Sequence, residues 1–283
     1  MCILFLYINP KPSAGNFRLI LAANRDEIYK RPAKSAHYWE EDKTVIGGRD
    51  LEPGKEGGSW LALSTRGRIA ALLNIMHIGE HPQELLGRGS LVSEFVKSKQ
   101  CGAAYLSTIA KNSHQYRPFN FLTIEIDPES INVHKYCNAG EAPKPECLSD
   151  EYLGISNSFI DTPFAKVTAG IQQFKDIISK YGSADEKKSL HNELTKFLKE
   201  ETSHFPDSVM ASFAPAVSTE YLKPYSSVYV NVPERGYGTR AHTIITVDAN
   251  NRADFNEWSM QDPIDPKNPQ WQNTHFSITL SDQ

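Results

Sequence analysis

The first residue in this chain able to do chemistry is the cysteine at position 2. Initiator methionine is commonly removed when the next residue is small, and Cys is small enough, so Cys2 would then start the chain. A terminal cysteine carries a thiol of ordinary pKa ~8.5 beside a free α-amine near ~8, so the amine can take the thiol proton directly or through water. One residue then supplies nucleophile and base. The plainer alternative is a small apolar residue opening a buried strand. A second candidate is the run Asn24-Arg25-Asp26-Glu27. Arg25 can hold a thiolate or a substrate carboxylate, and Asp26 can orient a terminal ammonium. The commoner fate of such a run is a solvated charged turn.

The elements must bring these residues together. Residues 2–8 and 17–23 are apolar on consecutive positions and are separated by Asn9-Pro10-Lys11-Pro12-Ser13-Ala14-Gly15, which reads as two strands of a central hairpin covered on both faces. Antiparallel pairing would place the run at 24–27, just past the second strand, near Cys2 and in a loop, where sites are usually carried. Residues 47–58 are glycine-rich. A phosphate-binding loop is excluded there, because Glu56 follows Gly54-Lys55 where Ser or Thr is needed, and a glycine-rich hairpin is the better account. Strands are expected at 60–63 and 69–74. Helical spacing follows at Leu91, Val92, Phe95 and Val96, with Ser90 as first cap, and again over 103–109. Strands 119–126 and 131–136 flank the turn Asp127-Pro128-Glu129-Ser130. After a strand at 152–155, Thr162 and Pro163 open a helix with Val167, Ile171, Phe174 and Ile178 on one face, ended by Gly182. A second helix carries Leu190, Leu194, Phe197 and Leu198 and packs beside the first on the same side of a sheet. Strands return at 228–232, 243–248, 252–258 and 274–280. The order suggests two stacked sheets with helices on their outer faces.

Composition narrows the function. Layered sheet folds reach roughly 250 residues as one unit, so a single domain over 1–283 is expected. The formal net charge of -4, with Lys and Arg scattered, leaves no electrostatic footprint for nucleic acid. Four cysteines without CxxC spacing signal neither a zinc site nor a disulfide framework, and a reducing compartment fits best. The apolar opening is too short to span a membrane, and no later stretch approaches ~20 uninterrupted apolar residues. A cytoplasmic protein is expected, with no presequence or lipidation signal visible.

Five motifs, Met1-Cys2, Asn24-Arg25-Asp26-Glu27, Gly54-Lys55-Glu56-Gly57-Gly58-Ser59-Trp60-Leu61, Gly154-Ile155-Ser156-Asn157 and Gly236-Tyr237-Gly238-Thr239-Arg240, occur in this order over essentially the whole chain. Together they resemble the NRDE family, the transport and Golgi organisation proteins. That family is similar to N-terminal nucleophile hydrolases, which implies an α+β class and a four-layer αββα sandwich. The resemblance implies Cys2 as nucleophile. It matches Arg25 and Asp26 to the post-strand Arg and Asp of choloylglycine hydrolases, although the two are adjacent here. It implies Asn157 as an oxyanion donor with Asn74 as a second donor, Arg240 as a late active-site arginine, and residues 24–27, Asn24 and Glu27 included, as a ligand-binding stretch. Taken singly, Asn74 and Asn157 also read as turn formers and Arg240 as a surface cation. The implied role is haem trafficking with lipid and Golgi homeostasis, in association with mitochondria or Golgi and with transient organelle-associated partners. No cofactor or metal is required on this reading. Haem would be a transferable ligand held by Cys2 and histidines such as His77 and His81, although Gly79 and Pro82 make exposed loop histidines the plainer reading there, and no CxxCH motif exists to attach it. The alternative is a hydrolase of acyl amides or acyl thioesters acting through Cys2, since a hydrolase fold does not by itself imply hydrolysis.

Overall fold

The computed structural model describes residues 1–76, 85–140 and 143–281. Its strands in chain order are β1 (Ile3–Ile8), β2 (Phe17–Ile28), β3 (Ala33–Tyr38), β4 (Val45–Asp50), β5 (Leu61–Ser64), β6 (Arg68–Asn74) and β7 (Phe119–Ile126). They continue as β8 (Ile131–Cys137), β9 (Glu146–Cys147), β10 (Tyr152–Ile155), β11 (Asn231–Val232), β12 (Tyr237–Asp248), β13 (Arg252–Met260) and β14 (Trp271–Thr279). The helices are α1 (Gly89–Lys97), α2 (Gly102–Lys111), α3 (Ala165–Tyr181), α4 (Lys187–Leu198), α5 (Ser208–Phe213) and α6 (Thr219–Leu222). The chain divides into two compact units, the first built mainly from Met1–Lys30 and Asp150–Ser277, the second mainly from Arg31–Ile75 and the residues leading to Ser149.

In the first unit the strands run in the order β10-β1-β2-β12-β13-β14, with β11 beside β12. The hairpin expected from the opening residues is present at the middle of this sheet, with Ile3 opposite Asn24 and Ile8 opposite Leu19. One face is covered by α3 and α4, which pack on each other and on β1, β2, β10 and β12. That face is dry: Ile3 and Phe5 of β1, Ile20 and Ala22 of β2, Val167 and Phe174 of α3, and Leu190 and Leu194 of α4 form one buried cluster. Each fully buried Ile, Phe, Val or Leu among them contributes about 1.5–3 kcal/mol. Gly170 lets α3 approach β1, because a Cβ there would lie 2.8 Å from Phe5 Cε1 and nearer still to its Cζ.

The second unit is a meander of seven strands in sequence order, β3 to β9. Helices α1 and α2 lay Leu91, Phe95, Tyr105 and Leu106 on Ala70, Leu72, Phe119 and Phe121 of its sheet. The glycine-rich hairpin is there: β4 pairs antiparallel with β5, and the turn between them needs Gly57 at φ 75. Each unit thus contributes one sheet and one helical layer, and the class is α+β as expected.

Several boundaries differ from the sequence reading. The second strand does not stop at Ala23 but runs to Ile28, because Arg25, Asp26, Glu27 and Ile28 all find ladder partners on β12. Asn24-Arg25-Asp26-Glu27 is therefore strand and not loop. Ser90 does not cap α1, whose cap position is Arg88. Helix α3 begins at Ala165, not at Thr162, and its first N–H is capped from afar by Asp207 Oδ2 at 2.7 Å. Strand β3 has no apolar alternation to announce it, and the run at 228–232 yields only the two residues of β11.

Candidate active site at the start of the first strand

Strand alternation deals the residues of the second strand's end to opposite faces. Asn24 and Asp26 point to the helical face, Arg25 and Glu27 away from it. Asn24 is fully buried and its Nδ2 donates to Leu198 O at 2.8 Å and Val228 O at 3.0 Å. Its Oδ1 is thereby left to face His242 Nδ1 at 2.7 Å, so the imidazole must donate and carry its proton on Nδ1. His242 stacks on Trp271 with centroids 4.7 Å apart, and burial pushes its pKa down to about 3, which keeps it neutral. Asn24 therefore clamps α4 and the segment before β11 to the sheet. Arg25 and Glu27, both partly buried, pair with each other at 3.7 Å.

Asp26 is buried and looks toward the start of β1. Its Oδ1 accepts from Thr239 Oγ1 at 2.6 Å, and its Oδ2 accepts no hydrogen bond but lies 3.4 Å from the Met1 ammonium. The same ammonium donates to the Tyr237 hydroxyl. Burial and the Asp26 charge push the Tyr237 phenol well above its ordinary range, so it stays protonated. Lys166 of α3, fully buried, donates from Nζ to Ser227 O at 3.0 Å and reaches Met1 O at 3.5 Å. Burial pulls its pKa down, while the nearby Asp26 and Cys2 oppose the fall.

The Cys2 thiol lies against the backbone of Asp26, whose N–H points to Sγ at 3.4 Å and whose carbonyl is 3.6 Å away. Burial raises its pKa, opposed chiefly by the terminal ammonium. Ser156, after β10, donates to Cys2 O at 2.7 Å with Asn157 Oδ1 3.5 Å from its hydroxyl, so Asn157 is carried to the Cys2 end of the sheet. Arg240 sits at the bulge where β12 changes register against β2, donating to Ile28 O at 3.2 Å and pairing with Asp262 at 3.2 Å. Asn74 belongs to the second unit, exposed at the end of β6. His77 and His81 lie outside the described residues. Among the described residues no group of three His, Cys, Asp or Glu side chains is placed to hold a metal ion.

Lys166, Tyr237, Thr239 and Ser156 are site residues to which the sequence reading gives no role. Three of them fall inside or beside the quoted motifs, which could have drawn attention to them. Lys166 has no such signal, since a lysine on an amphipathic helix reads as solvated.

Residues 1–262 match the family described as Transport and Golgi organisation 2. The chain belongs to this family. The Transport and Golgi organization 2 homolog of Mus musculus is 36% identical over 283 residues, covering 99% of each chain. The Homo sapiens homolog is 36% identical over 284 residues with the same coverage, and the Drosophila melanogaster protein is 34% identical over 98% of this chain and 97% of its own. Among solved structures, the chain is similar to a C2A mutant of conjugated bile acid hydrolase from Clostridium perfringens, at 9% identity and TM-score 0.45 over 100% of this chain and 99% of that one. It is also similar to the Caenorhabditis elegans ortholog of N-acylethanolamine-hydrolyzing acid amidase, at 10% identity and TM-score 0.41 over 86% of this chain and 92% of that one. The family is thus one named for Golgi organisation, and among the described residues no helix is long and apolar enough to cross a membrane.

Proposed function

We propose that this chain is a cysteine hydrolase of acyl amides or acyl thioesters, working through Cys2 once Met1 has been removed. One observation carries the reading: the buried Asp26 and Lys166 and the partly buried Tyr237, from three different elements, surround the first peptide bond, directly beside a thiol. Burying two ionisable groups and half-burying a third at one spot is costly for a packing role alone and is characteristic of sites where protons move.

In the proposed reaction the Cys2 thiol gives its proton to its own α-amine as sulfur bonds to the acyl carbonyl carbon. Asn157 and backbone N–H groups steady the oxyanion. The tetrahedral adduct collapses by breaking the bond to the leaving amine or thiol, which takes the proton from the α-ammonium. Water then adds to the acyl-cysteine thioester, with the amine again accepting a proton, and releases the carboxylic acid and the free thiol. Asp26 and Tyr237 stand beside this exchange, where they meet the ammonium of Met1 before its removal. The work would be done in the cytoplasm, at Golgi or mitochondrial surfaces, which cell fractionation can follow.

The test uses protein whose first residue is Cys2, verified by intact mass. A thiol-directed acyl analogue should label Cys2 stoichiometrically, and Cys2→Ala should abolish both labelling and turnover of acyl amides and thioesters. Labelling confined to Cys101, Cys137 or Cys147 would remove the reading's support. The haem role implied by the resemblance needs a pocket and a transferable ligand but no free Cys2 terminus. Absent labelling together with saturable one-to-one haem uptake would reverse the order of the two.

A further inference from the structure

Met1 displays the chemistry of the space it fills. Its side chain, 9% exposed, belongs to the buried apolar cluster that contains Ile3, Phe164 and Val228. Its ammonium faces Asp26 Oδ2 at 3.4 Å and the Tyr237 hydroxyl, and its carbonyl lies 3.5 Å from Lys166 Nζ. Each part of one α-amino acyl group, the charged amine, the carbonyl and the unbranched chain, therefore has a matching partner supplied by the sheet or by α3.

Removal of Met1, which the proposed hydrolysis requires, strips all these partners at once. Asp26 Oδ2 accepts no hydrogen bond in any case and, while buried, would then lose the Met1 ammonium as its counter-charge, the new Cys2 ammonium lying one residue further along the strand. Lys166 would keep Ser227 O and lose its contact with Met1 O. A void would remain where the thioether chain lay. A buried uncompensated carboxylate and an empty apolar cavity are both unfavourable, so the vacated space favours a ligand that restores the same contacts. The carbonyl of such a ligand would come to rest next to Cys2, because the carbonyl it replaces was bonded to the Cys2 nitrogen.

We propose that the site vacated by Met1 is the acyl pocket, and that it takes α-amino acyl groups with an unbranched apolar side chain. This rests on the hydrolase reading and names its substrate class. Asp26 and Tyr237 read the amine, Lys166 the carbonyl, and the apolar cluster the side chain.

The experiment is isothermal titration of the Met1-free chain with L-methionine, L-norleucine and hexanoate, the last matching norleucine but lacking the amine. Methionine and norleucine should bind one to one, hexanoate at least about tenfold more weakly, as expected for loss of a charged hydrogen bond. Asp26→Asn should erase that difference, and the chain that keeps Met1 should bind none of the three. If Met1-free protein proves too unstable for titration, the same compounds are compared by their effect on the melting midpoint, which methionine should raise and hexanoate should not. Equal binding of all three, or no binding and no rise because the Cys2 ammonium has itself swung onto Asp26, would overturn the proposal. Acyl labelling of Cys2 without methionine binding would sink this inference and leave the hydrolase reading standing. Methionine binding without labelling would keep the pocket and remove the nucleophile.

Discussion

Asn24 and Asp26 are two residues apart and do different work. Asn24 satisfies two carbonyls and one imidazole N–H in the interior, none of them a partner of the thiol. Asn24→Ala should leave Leu198 O, Val228 O and His242 Nδ1–H unsatisfied and cost about 3 kcal/mol, at roughly 1 kcal/mol or more for each stranded group. Urea unfolding monitored by circular dichroism measures this. A loss below about 0.5 kcal/mol would mean that the clamp is not needed. Asp26, by contrast, meets the Met1 ammonium, and its substitution should be felt first in chemistry at Cys2. The sequence reading links Asp26 to a terminal ammonium, and the geometry has that contact, although the ammonium here is that of Met1. The structural role of Asn24 was not legible, because its three partners come from residues 198, 228 and 242, far away in the chain.

At the scale of elements, the β1–β2 hairpin and the two helices of the first unit were readable from periodicity, since their apolar positions all serve one face. The true end of β2 was not. Four residues that include both charges and an amide signal a loop by composition, and only the twelve-residue partner β12 makes them a strand. The cap of α3 was hidden for a similar reason, since Asp207 supplies it from beyond α4. Close approach of α3 to β1 gives a test at this scale. Gly170→Ala improves helix propensity by about 1 kcal/mol but drives a methyl into the Phe5 ring, and overpacking of a tight core costs about 1–3 kcal/mol. The steric term should win, lowering stability by about 1 kcal/mol. Stabilisation would mean that Phe5 has room to turn aside.

For the molecule as a whole, stability should depend on pH through His242. Its folded pKa of about 3 lies below the ordinary 6.5, so between these values the unfolded chain binds a proton that the folded chain refuses. Stability is then full above about pH 6.5 and falls as the pH drops toward 3, by about 1.4 kcal/mol per pH unit from this one group. His191, pushed to about 4 by burial, acts in the same direction over a narrower window. Urea midpoints at neutral and mildly acidic pH should show this slope, and His242→Gln should flatten it; an unchanged slope would place the proton elsewhere. Composition argued against nucleic acid and a spanning helix at this scale, while the buried Lys166 stayed invisible, because its burial is a product of packing and not of its neighbours in sequence. The alternating faces of β2 also bear on how the family can have diverged. Asn24 should change in step with His242, and Asp26 in step with Thr239, so that four consecutive letters drift through evolution as separate partnerships that happen to share a strand.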